Sequence, residues 1–339
     1  MTELITELLQ IPTAMRDLID LYERGSGKAR LNLPALERPL LVGMGASYHA
    51  AWIGSLMLRH AGILSVHEEA SEVIQYQRAL PARASPLIYI SQSGSSGEVQ
   101  PFIDLYGKQG QVIGITNDLA SPLGAQADHV LPMAAGAETL IAGKTYANTL
   151  ALLWLMAQKW AGADLAGALD QLRRLADKIE AIQARRAQVV ERLEPVFKSA
   201  SRVVFLGSGP HAASARQAAM TLSEWPKIAC LSFGIGAYRH GFIESAGRDT
   251  AVVLFSASGP GRKSTLALGE ELRGYGATVL RIENGEVLGM DAPAVTDPVD
   301  SFLSPVLDMV PVQLFAEVAA RKRLETPGFR YISKVVTKI

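Results

Sequence analysis

The chain has 339 residues, enough for two ordinary domains, and its content of 48% apolar and 19% charged residues is typical of a globular protein with a large core. It carries 33 basic and 33 acidic residues, a balance that argues against a nucleic-acid partner and against binding to an anionic membrane surface. The single cysteine, Cys230, excludes an intrachain disulfide and a cysteine-based zinc site, and we expect it to be a buried, inert strand residue.

The N-terminal stretch, residues 1–30, is acidic and amphipathic and predicts a helical segment. It has neither the basic region nor the cleavage site of a signal peptide. The longest apolar run, residues 149–160, is too short to span a bilayer. We therefore expect no membrane partner and a cytoplasmic location.

A strand–turn–helix pattern comes next, and it occurs twice. The turns Gly43-Met44-Gly45 and Gly207-Ser208-Gly209 each follow a short apolar strand and precede an alanine-rich helix, at an offset of 164 residues. Two further matches, YISQSG with LFSASG and GQVIGITN with ATVLRIEN, come in the same order at nearly the same offset. The sequence therefore predicts an α/β protein made of two copies of one unit, each a parallel sheet flanked by helices on both faces.

The segment between the two copies keeps apolar residues at helical spacing, which predicts a packed connector rather than a flexible linker. The predicted organisation is an N-terminal helical segment (1–30), a first domain (31–160), a helical connector (161–197), a second domain (198–325) and a C-terminal tail (326–339).

A turn rich in serine and glycine, Ser91–Ser96, directly follows the predicted strand Leu87–Ile90. Ligands of open parallel sheets gather outside the carboxyl ends of the strands. Free backbone N–H groups at a helix start, serine hydroxyls and a tight turn at Gly94 together suit a phosphate ester, with Ser95 or Ser96 as the predicted N-cap. An ordinary capped turn is the alternative, and the residues of this segment alone favour neither.

Cofactor signatures are missing from the sequence. Tyr48 stands where a dinucleotide-binding fingerprint needs its third glycine, and there is no P-loop motif. In the second copy of the serine-rich turn, Ala257 replaces Gln92, so the first copy is the better candidate for a ligand. We expect no cofactor and no metal site, because the histidines outside the motifs lack metal-binding spacing: His49, His60, His67, His129 and His211.

Five motifs in one order resemble the sugar isomerase (SIS) family over nearly the whole chain: VGMGASYHAA, ISQSGSSGEV, GAETLIAGKTYANTL, FLGSGPHAASARQAAMTLSEW and GAYRHGFIE. The likeness is to tandem-SIS proteins such as the isomerase domain of glucosamine-6-phosphate synthase and related phosphosugar isomerases, deaminases and deglycases. The resemblance implies two tandem SIS domains and a phosphosugar isomerase or amino-sugar-6-phosphate deaminase. It also implies a homodimer with shared active sites, whose small-molecule partner is a sugar phosphate.

The resemblance further implies which residues form the site. The residues expected to bind the substrate and its phosphate are Ser47, Ser91, Gln92, Ser93, Ser96 and Ala142. The residues expected to be catalytic are Glu224, His240 and Lys334. Lys334 lies in the C-terminal tail, which is expected to close over the sugar.

Two of these residue types suit the implied chemistry. Glu224 precedes Trp225-Pro226, which predicts a helix end there, and a carboxylate can shuttle a proton between C1 and C2 through an enediol or enolamine. A solvated glutamate at a helix end is the alternative reading of the residues alone, and the resemblance favours the catalytic role. His240 lies in a predicted glycine-rich loop, where a histidine can exchange protons near neutral pH and open the sugar ring.

Some residues depart from the family pattern. Thr221 replaces a family lysine three residues before Glu224, and the loop before Lys144 is one residue shorter, so the role of Lys144 stays open. No cysteine stands near the start of the printed sequence, and we expect no glutaminase route to nitrogen. The sugar, the leaving group and the direction of flux also stay open. The alternatives are a deglycase of a phosphorylated sugar–amine conjugate and a non-catalytic regulator that binds sugar phosphates.

Overall fold

The computed structural model describes residues 2–25, 31, 33, 37–76, 86–324 and 326–337. Part of the predicted N-terminal segment, residues 26–30, and the last two residues of the predicted tail lie outside the described residues. Contacts divide the chain into two compact lobes. The first lobe is Gln10–Ala176 with Arg330–Ile339, and the second lobe is Met1–Leu9 with Asp177–Phe329. The predicted domain boundaries stay predictions.

Helices and strands alternate along the first half of the chain, as the repeat pattern predicts. In chain order the elements are α1 (Glu3–Leu9), α2 (Ile11–Arg24), β1 (Leu40–Gly43), α3 (Ala46–His60), β2 (Val66–Glu69), α4 (Ala70–Tyr76), β3 (Leu87–Ile90), α5 (Val99–Tyr106), β4 (Val112–Thr116), α6 (Pro122–Gln126), β5 (His129–Pro132), α7 (Lys144–Trp160) and α8 (Leu165–Ala184).

The second half repeats the alternation. Its elements are α9 (Arg186–Ser199), β6 (Arg202–Gly207), α10 (Pro210–Glu224), β7 (Leu231–Gly234), α11 (Ile235–Arg239), a 3-10 turn (Phe242–Ser245), β8 (Thr250–Phe255), α12 (Arg262–Gly274), β9 (Thr278–Glu283), β10 (Glu286–Gly289) and α13 (Ser304–Arg323). The predicted connector thus forms α8 and α9. No helix of the described residues is long and apolar enough to cross a membrane.

The sheet of the first lobe has the order β2-β1-β3-β4-β5, and every neighbouring pair is parallel. Its central strands β1, β3 and β4 are buried at every position, because helices cover both faces of the sheet. The core on one face joins Val42 and Tyr89 of the strands to Val73 of α4 and Phe102 of α5. On the other face, α3 packs against β1 and α7.

The second sheet has the order β7-β6-β8-β9-β10, which is the same arrangement of first to fifth strands as in the first lobe. This shared order confirms the predicted α/β architecture of two similar sheets flanked by helices. The second sheet is not wholly parallel, however, since β10 runs antiparallel to β9. The reason is local: only Asn284 and Gly285 separate the two strands, and a two-residue connection makes an antiparallel hairpin.

Candidate functional site

The crevice of the first lobe lies where its strand order changes direction. The chain passes from β1 to its neighbour β2 on one side and then to β3 on the other, so the loops after β1 and β3 lead away from each other. In open α/β sheets this switch point at the carboxyl ends of the strands is where ligands bind. Ser47, in the first turn of α3, and the serine loop, which we define as residues 91–98 between β3 and α5, both lie at this edge.

A buried framework holds the serine loop. The Ser91 N–H donates to the Ile115 carbonyl at 3.0 Å, and the Ser91 hydroxyl accepts the Gly94 N–H at 3.1 Å. Gly94 has a left-handed backbone with φ of 60°, and a Cβ there would lie 2.0 Å from Ser121 Oγ. The Gln92 carbonyl accepts the Asn117 N–H at 3.0 Å. The loop is therefore fixed against the residues that follow β4.

The remaining polar groups of the serine loop are more accessible. Gln92, Ser93 and Ser96 are half-buried, whereas Ser91 is buried with 7% of its surface exposed. The Ser93 hydroxyl accepts the N–H of Ser95 at 3.2 Å and keeps its own proton to donate. The loop can thus offer several hydroxyl and amide donors to one anion, which is the requirement for a phosphate ester.

The predicted N-cap at Ser95 or Ser96 is wrong. Helix α5 begins at Val99, its N-cap position is Glu98, and the Val99 N–H donates to the backbone carbonyl of Ser96 at 3.0 Å. An additional turn at Gly97 and Glu98 therefore separates the serines from the helix. The Gly97 N–H donates instead to the carbonyl of Val336 in the C-terminal tail, at 3.1 Å.

The C-terminal tail contacts two loops of the first lobe. Besides the contact of Val336 with the serine loop, the Lys334 ammonium donates to the Leu140 carbonyl at 2.6 Å and to Glu138 Oε2 at 3.1 Å. Glu138 is buried, with its side chain 1% exposed. Glu138 is not among the predicted site residues, and it lies too far before α7 to match the N-cap pattern by which a sequence reveals a helix start.

The structure gives Lys144 a structural position. Its side chain is buried, with the residue 3% exposed, and its ammonium donates to the Ala137 carbonyl at 2.5 Å and to Gln10 Oε1 at 2.7 Å. Lys144 therefore ties the start of α7 to the loop before it and to the residue preceding α2. Ala142, an expected substrate-binding residue, is half-buried in the same loop.

Glu224 lies in the second lobe, and α10 ends at this residue as predicted. The side chain is half-buried, and Trp225 beside it is buried. The Trp225 indole N–H donates to Glu317 Oε2 of α13 at 2.8 Å, while the Lys227 ammonium donates to the Glu224 carbonyl. Thr221, one turn earlier, is buried. The end of α10 is thus held in place by contacts of the Glu224 backbone carbonyl and the Trp225 ring.

The glycine-rich loop predicted around His240 is partly helical. Residues Ile235–Arg239 form the short helix α11, and His240 follows its last residue with its side chain exposed. The turn forms because Tyr238 is buried in the core of the second lobe while Arg239 pairs with Glu271 at 2.6 Å.

Cys230 precedes β7 rather than lying in it, and burial raises the pKa of its thiol to about 12.

In the second lobe, the loops that follow β6 and β8 contact each other closely. Gly261 packs so closely on Ser208 that a Cβ at Gly261 would lie 2.2 Å from its hydroxyl. His211, the counterpart of Ser47 in the repeat, is buried, with Nε2 3.2 Å from the Ser304 hydroxyl and Nδ1 3.4 Å from Asp308 Oδ2. Burial lowers the pKa of His211 to about 4 and raises the pKa of Asp308 well above its usual range.

The described residues contain no group of three His, Cys, Asp or Glu side chains that could hold a metal ion. The accessible side chains of the serine loop are hydroxyls and the Gln92 amide, which can donate to an oxyanion, whereas the carboxylates of Glu98 and Glu138 are buried.

A family model described as the SIS domain matches residues 37–159 and 196–286. These segments cover more than half of the chain, with one in each lobe, and the chain therefore belongs to the SIS domain family.

Curated relatives extend this likeness over almost the whole chain. It is 28% identical, over 98% of its length, to glutamine–fructose-6-phosphate aminotransferase (isomerizing) of Gloeobacter violaceus, and it covers 58% of that protein. The protein of the same description from Methanothermobacter thermautotrophicus is 27% identical, and the chain covers 57% of it. The chain thus spans less than two thirds of the length of these relatives.

Solved structures share the fold. The C-terminal domain of glucosamine-fructose-6-phosphate aminotransferase from Francisella tularensis superposes with a TM-score of 0.83 at 18% identity, covering 97% of this chain and 98% of that one. Glucosamine-6-phosphate deaminase from Thermotoga maritima gives a TM-score of 0.78 at 24% identity, covering 99% of each chain. Tagatose-6-phosphate ketose/aldose isomerase from Escherichia coli gives 0.76 at 22% identity, covering 95% and 93%.

Proposed function

We propose that the protein is an enzyme that acts on a hexose phosphate, either as a phosphosugar isomerase or as an amino-sugar-6-phosphate deaminase. The observation that carries the proposal is the serine loop, a fixed turn with accessible hydroxyls at the switch point of the first-lobe sheet. Membership of the SIS family and the curated relatives, which are named for fructose 6-phosphate, support the substrate class.

In this proposal the phosphate binds to the first lobe. The groups that hold it are the hydroxyls of Ser47, Ser91, Ser93 and Ser96 and the amide of Gln92, with Ala142 beside the sugar. Hydroxyl and amide donors share the phosphate charge through several charge-assisted hydrogen bonds. The cation supplied at this edge is Lys334, whose tail contacts the serine loop through Val336.

The proposed chemistry is proton transfer by Glu224 and His240. The His240 imidazole protonates the ring oxygen to open the sugar, and the Glu224 carboxylate removes the C2 proton and returns it to C1, through an enediol. With an amino group on C2 the same transfer gives an enolamine, which becomes an imine. Water then adds to the imine carbon and ammonia leaves, giving the ketose. The proposal includes a homodimer with shared active sites.

Both reactions are testable on one protein. Glucosamine 6-phosphate is incubated with the protein while ammonia and fructose 6-phosphate are assayed, and glucose 6-phosphate and fructose 6-phosphate are assayed for interconversion. We expect one of these activities, and we expect Glu224→Gln to abolish it with the fold intact. Activity that survives the substitution would remove Glu224 from its role, and release of an amino acid from a fructosamine phosphate would indicate a deglycase instead.

The serine loop itself is tested by a matched pair of variants. Ser93→Ala removes one accessible donor to the phosphate, and we expect KM to rise about tenfold with little change in kcat, because a hydrogen bond to a charged group is worth about 1.5–3 kcal/mol. Ser258→Ala makes the same change at the equivalent place of the second lobe, where Ser258 is also half-buried. Equal KM values for the two variants would contradict phosphate binding by the serine loop.

A further inference from the structure

The carboxylate of Glu138 is buried beside the C-terminal tail and accepts hydrogen bonds from four donors of the described residues. Its Oε1 accepts the backbone N–H of Gly143 at 2.9 Å and that of Thr145 at 3.2 Å. Its Oε2 accepts the Thr145 hydroxyl at 2.5 Å and the Lys334 ammonium at 3.1 Å. Three of these four donors belong to the start of α7, so Glu138 is fixed by the helix independently of the tail.

The buried negative charge of Glu138 is paired with the ammonium of Lys334 in the C-terminal tail. A carboxylate with 1% of its side chain exposed is costly to leave unpaired, although the N-terminus of α7 offsets part of that cost. Lys334 pairs with it directly, while the nearby Lys144 ammonium donates to neutral oxygens of Ala137 and Gln10. Glu138 and Lys334 therefore depend on each other for charge balance, and only Lys334 lies on a segment without helix or strand to hold it.

Holding Lys334 also holds the tail on the serine loop. Val336, two residues after Lys334, accepts the Gly97 N–H at 3.1 Å, so the tail is attached at two neighbouring points of the first lobe. Within the described residues, Glu138 and Leu140 occupy two of the three N–H donors of the Lys334 ammonium. One donor is left for a ligand.

We propose that Glu138 is a positioning residue, which fixes Lys334 as a cation beside the serine loop and so keeps the tail on the phosphate-binding edge of the first lobe. Glu138 acts through Lys334 and does not touch the sugar. The kinetic consequence rests on the proposed function, whereas the placement of the tail does not. Loss of the carboxylate charge is expected to release the tail even though a glutamine can still cap α7 through one oxygen.

The test is a double-mutant cycle of Glu138→Gln and Lys334→Met, read by amide hydrogen exchange with mass spectrometry. We expect each single variant to raise exchange of the peptides covering 93–99 and 330–337 at least about threefold, and the double variant to exceed neither single one. Lys334→Arg, which keeps the cation, should retain protection. Glu194→Gln is the matched control, since it removes a carboxylate–lysine pair with Lys322 on the surface of the second lobe.

Unchanged exchange of the tail in Glu138→Gln would overturn the proposal. So would an equal further rise when Glu138→Gln is added to Lys334→Met, since Glu138 would then act on α7 and not through the lysine. Should Glu138→Gln fail to fold, Lys334→Met alone must raise tail exchange while peptides over 143–149 stay protected. If a hexose phosphate is turned over, both single variants and the double variant should lose kcat/KM by the same factor. If none is turned over, the proposed function fails while the exchange experiment still decides the role of Glu138.

Discussion

Gly94 is the residue on which the shape of the serine loop depends most directly. Its left-handed backbone is accessible to glycine at no steric cost, and its α-carbon faces Ser121 Oγ and Thr116 Oγ1 so closely that a side chain has no room. Gly94→Ala combines backbone strain of about 1–2 kcal/mol with overpacking of about 1–3 kcal/mol. We therefore expect urea denaturation to show a loss of about 2–5 kcal/mol and phosphosugar binding to weaken.

Gly136→Ala is the control for this prediction. Gly136 has nearly the same backbone, with φ of 64° against 60° at Gly94, but open space surrounds the position of its missing Cβ. The substitution there should cost the backbone strain alone, about 1–2 kcal/mol. If both variants lose the same stability, the contact with Ser121 is not what fixes the serine loop.

The difference between Gly94 and Glu138 shows what a sequence can reveal at this scale. Gly94 was identifiable because a glycine among serines after a strand predicts a tight turn from local residues alone. The role of Glu138 depends on Lys334, which is 196 positions away, and no local pattern predicts that contact. Likewise, the Gly97 N–H donates to the carbonyl of Val336, which lies near the other end of the sequence. Helix α5, which follows the serine loop, begins at Val99, later than the N-cap preference of serine indicates.

At the scale of elements, the Trp225 indole at the end of α10 makes a hydrogen bond to Glu317 of α13. Trp225→Phe removes the indole donor from the buried carboxylate of Glu317, which then keeps its pairing with Arg321 at 2.7 Å. A hydrogen bond to a charged group contributes about 1.5–3 kcal/mol. We therefore expect the free energy of unfolding to fall by about 1.5–3 kcal/mol, in addition to the cost of the packing that the smaller ring loses. Urea denaturation followed by circular dichroism measures this change.

Trp154→Phe is the comparison for this change. Trp154 is similarly buried, at 2% exposed against 5% for Trp225, and among the described residues its indole nitrogen has no hydrogen-bond partner. The same substitution therefore removes ring area without breaking a hydrogen bond and should cost about 1 kcal/mol. Equal losses in the two variants would mean that the bond to Glu317 contributes nothing to stability.

The antiparallel pairing of β10, which departs from the predicted parallel sheet, has a local signal in the sequence. Asn284-Gly285 between two apolar strands is a strong hairpin signature, and both residues have positive φ, 51° and 80°. The repeat comparison instead matched β9 with β4 and carried over the parallel pairing of the first copy. A short turn pattern therefore outweighs analogy between repeats when the two disagree.

At the scale of the whole molecule, the duplication predicts the fold well and the site only in part. Both copies keep the order of their strands, because buried parallel strands and alternating helices leave few arrangements. Their crevices have diverged: Ser47 lies at the first, while its counterpart His211 is buried with Asp308 in the second. The spacing of apolar residues predicts the architecture of both lobes. Whether the loops at the end of a sheet stay accessible to a ligand depends on single side chains such as Ser208 and Ser304.

The buried pair of His211 and Asp308 gives the molecule a defined dependence of stability on pH. In the unfolded chain the two groups titrate near 6.5 and 3.9. Between about pH 4 and 6.5 the unfolded His211 binds a proton that the native imidazole does not, which makes stability rise with pH. Above about pH 3.9 the native Asp308 carboxyl, whose pKa burial raises, retains a proton that the unfolded carboxyl has lost, which makes stability fall with pH until the native carboxyl ionises. The two groups therefore contribute to stability with opposite dependence on pH.

Replacing either His211 or Asp308 leaves the pH dependence of the other group, and the two replacements should change the slope of stability against pH in opposite directions. In Asp308→Asn the native state excludes the proton that unfolded His211 binds, so stability should rise with pH more steeply than in the parent protein between about pH 4 and 6.5, by up to about 1.4 kcal/mol per pH unit. In His211→Gln this rising contribution is lost and the native Asp308 carboxyl still retains its proton above its unfolded pKa, so stability relative to the parent protein should fall with pH over the same range. Urea denaturation at about pH 4.5, 5.5 and 6.5 measures both slopes, with the exposed His60→Gln as control. Parallel profiles for all three variants would contradict the burial shifts, because opposite slopes require each buried group to disfavour its charged form once its partner is removed.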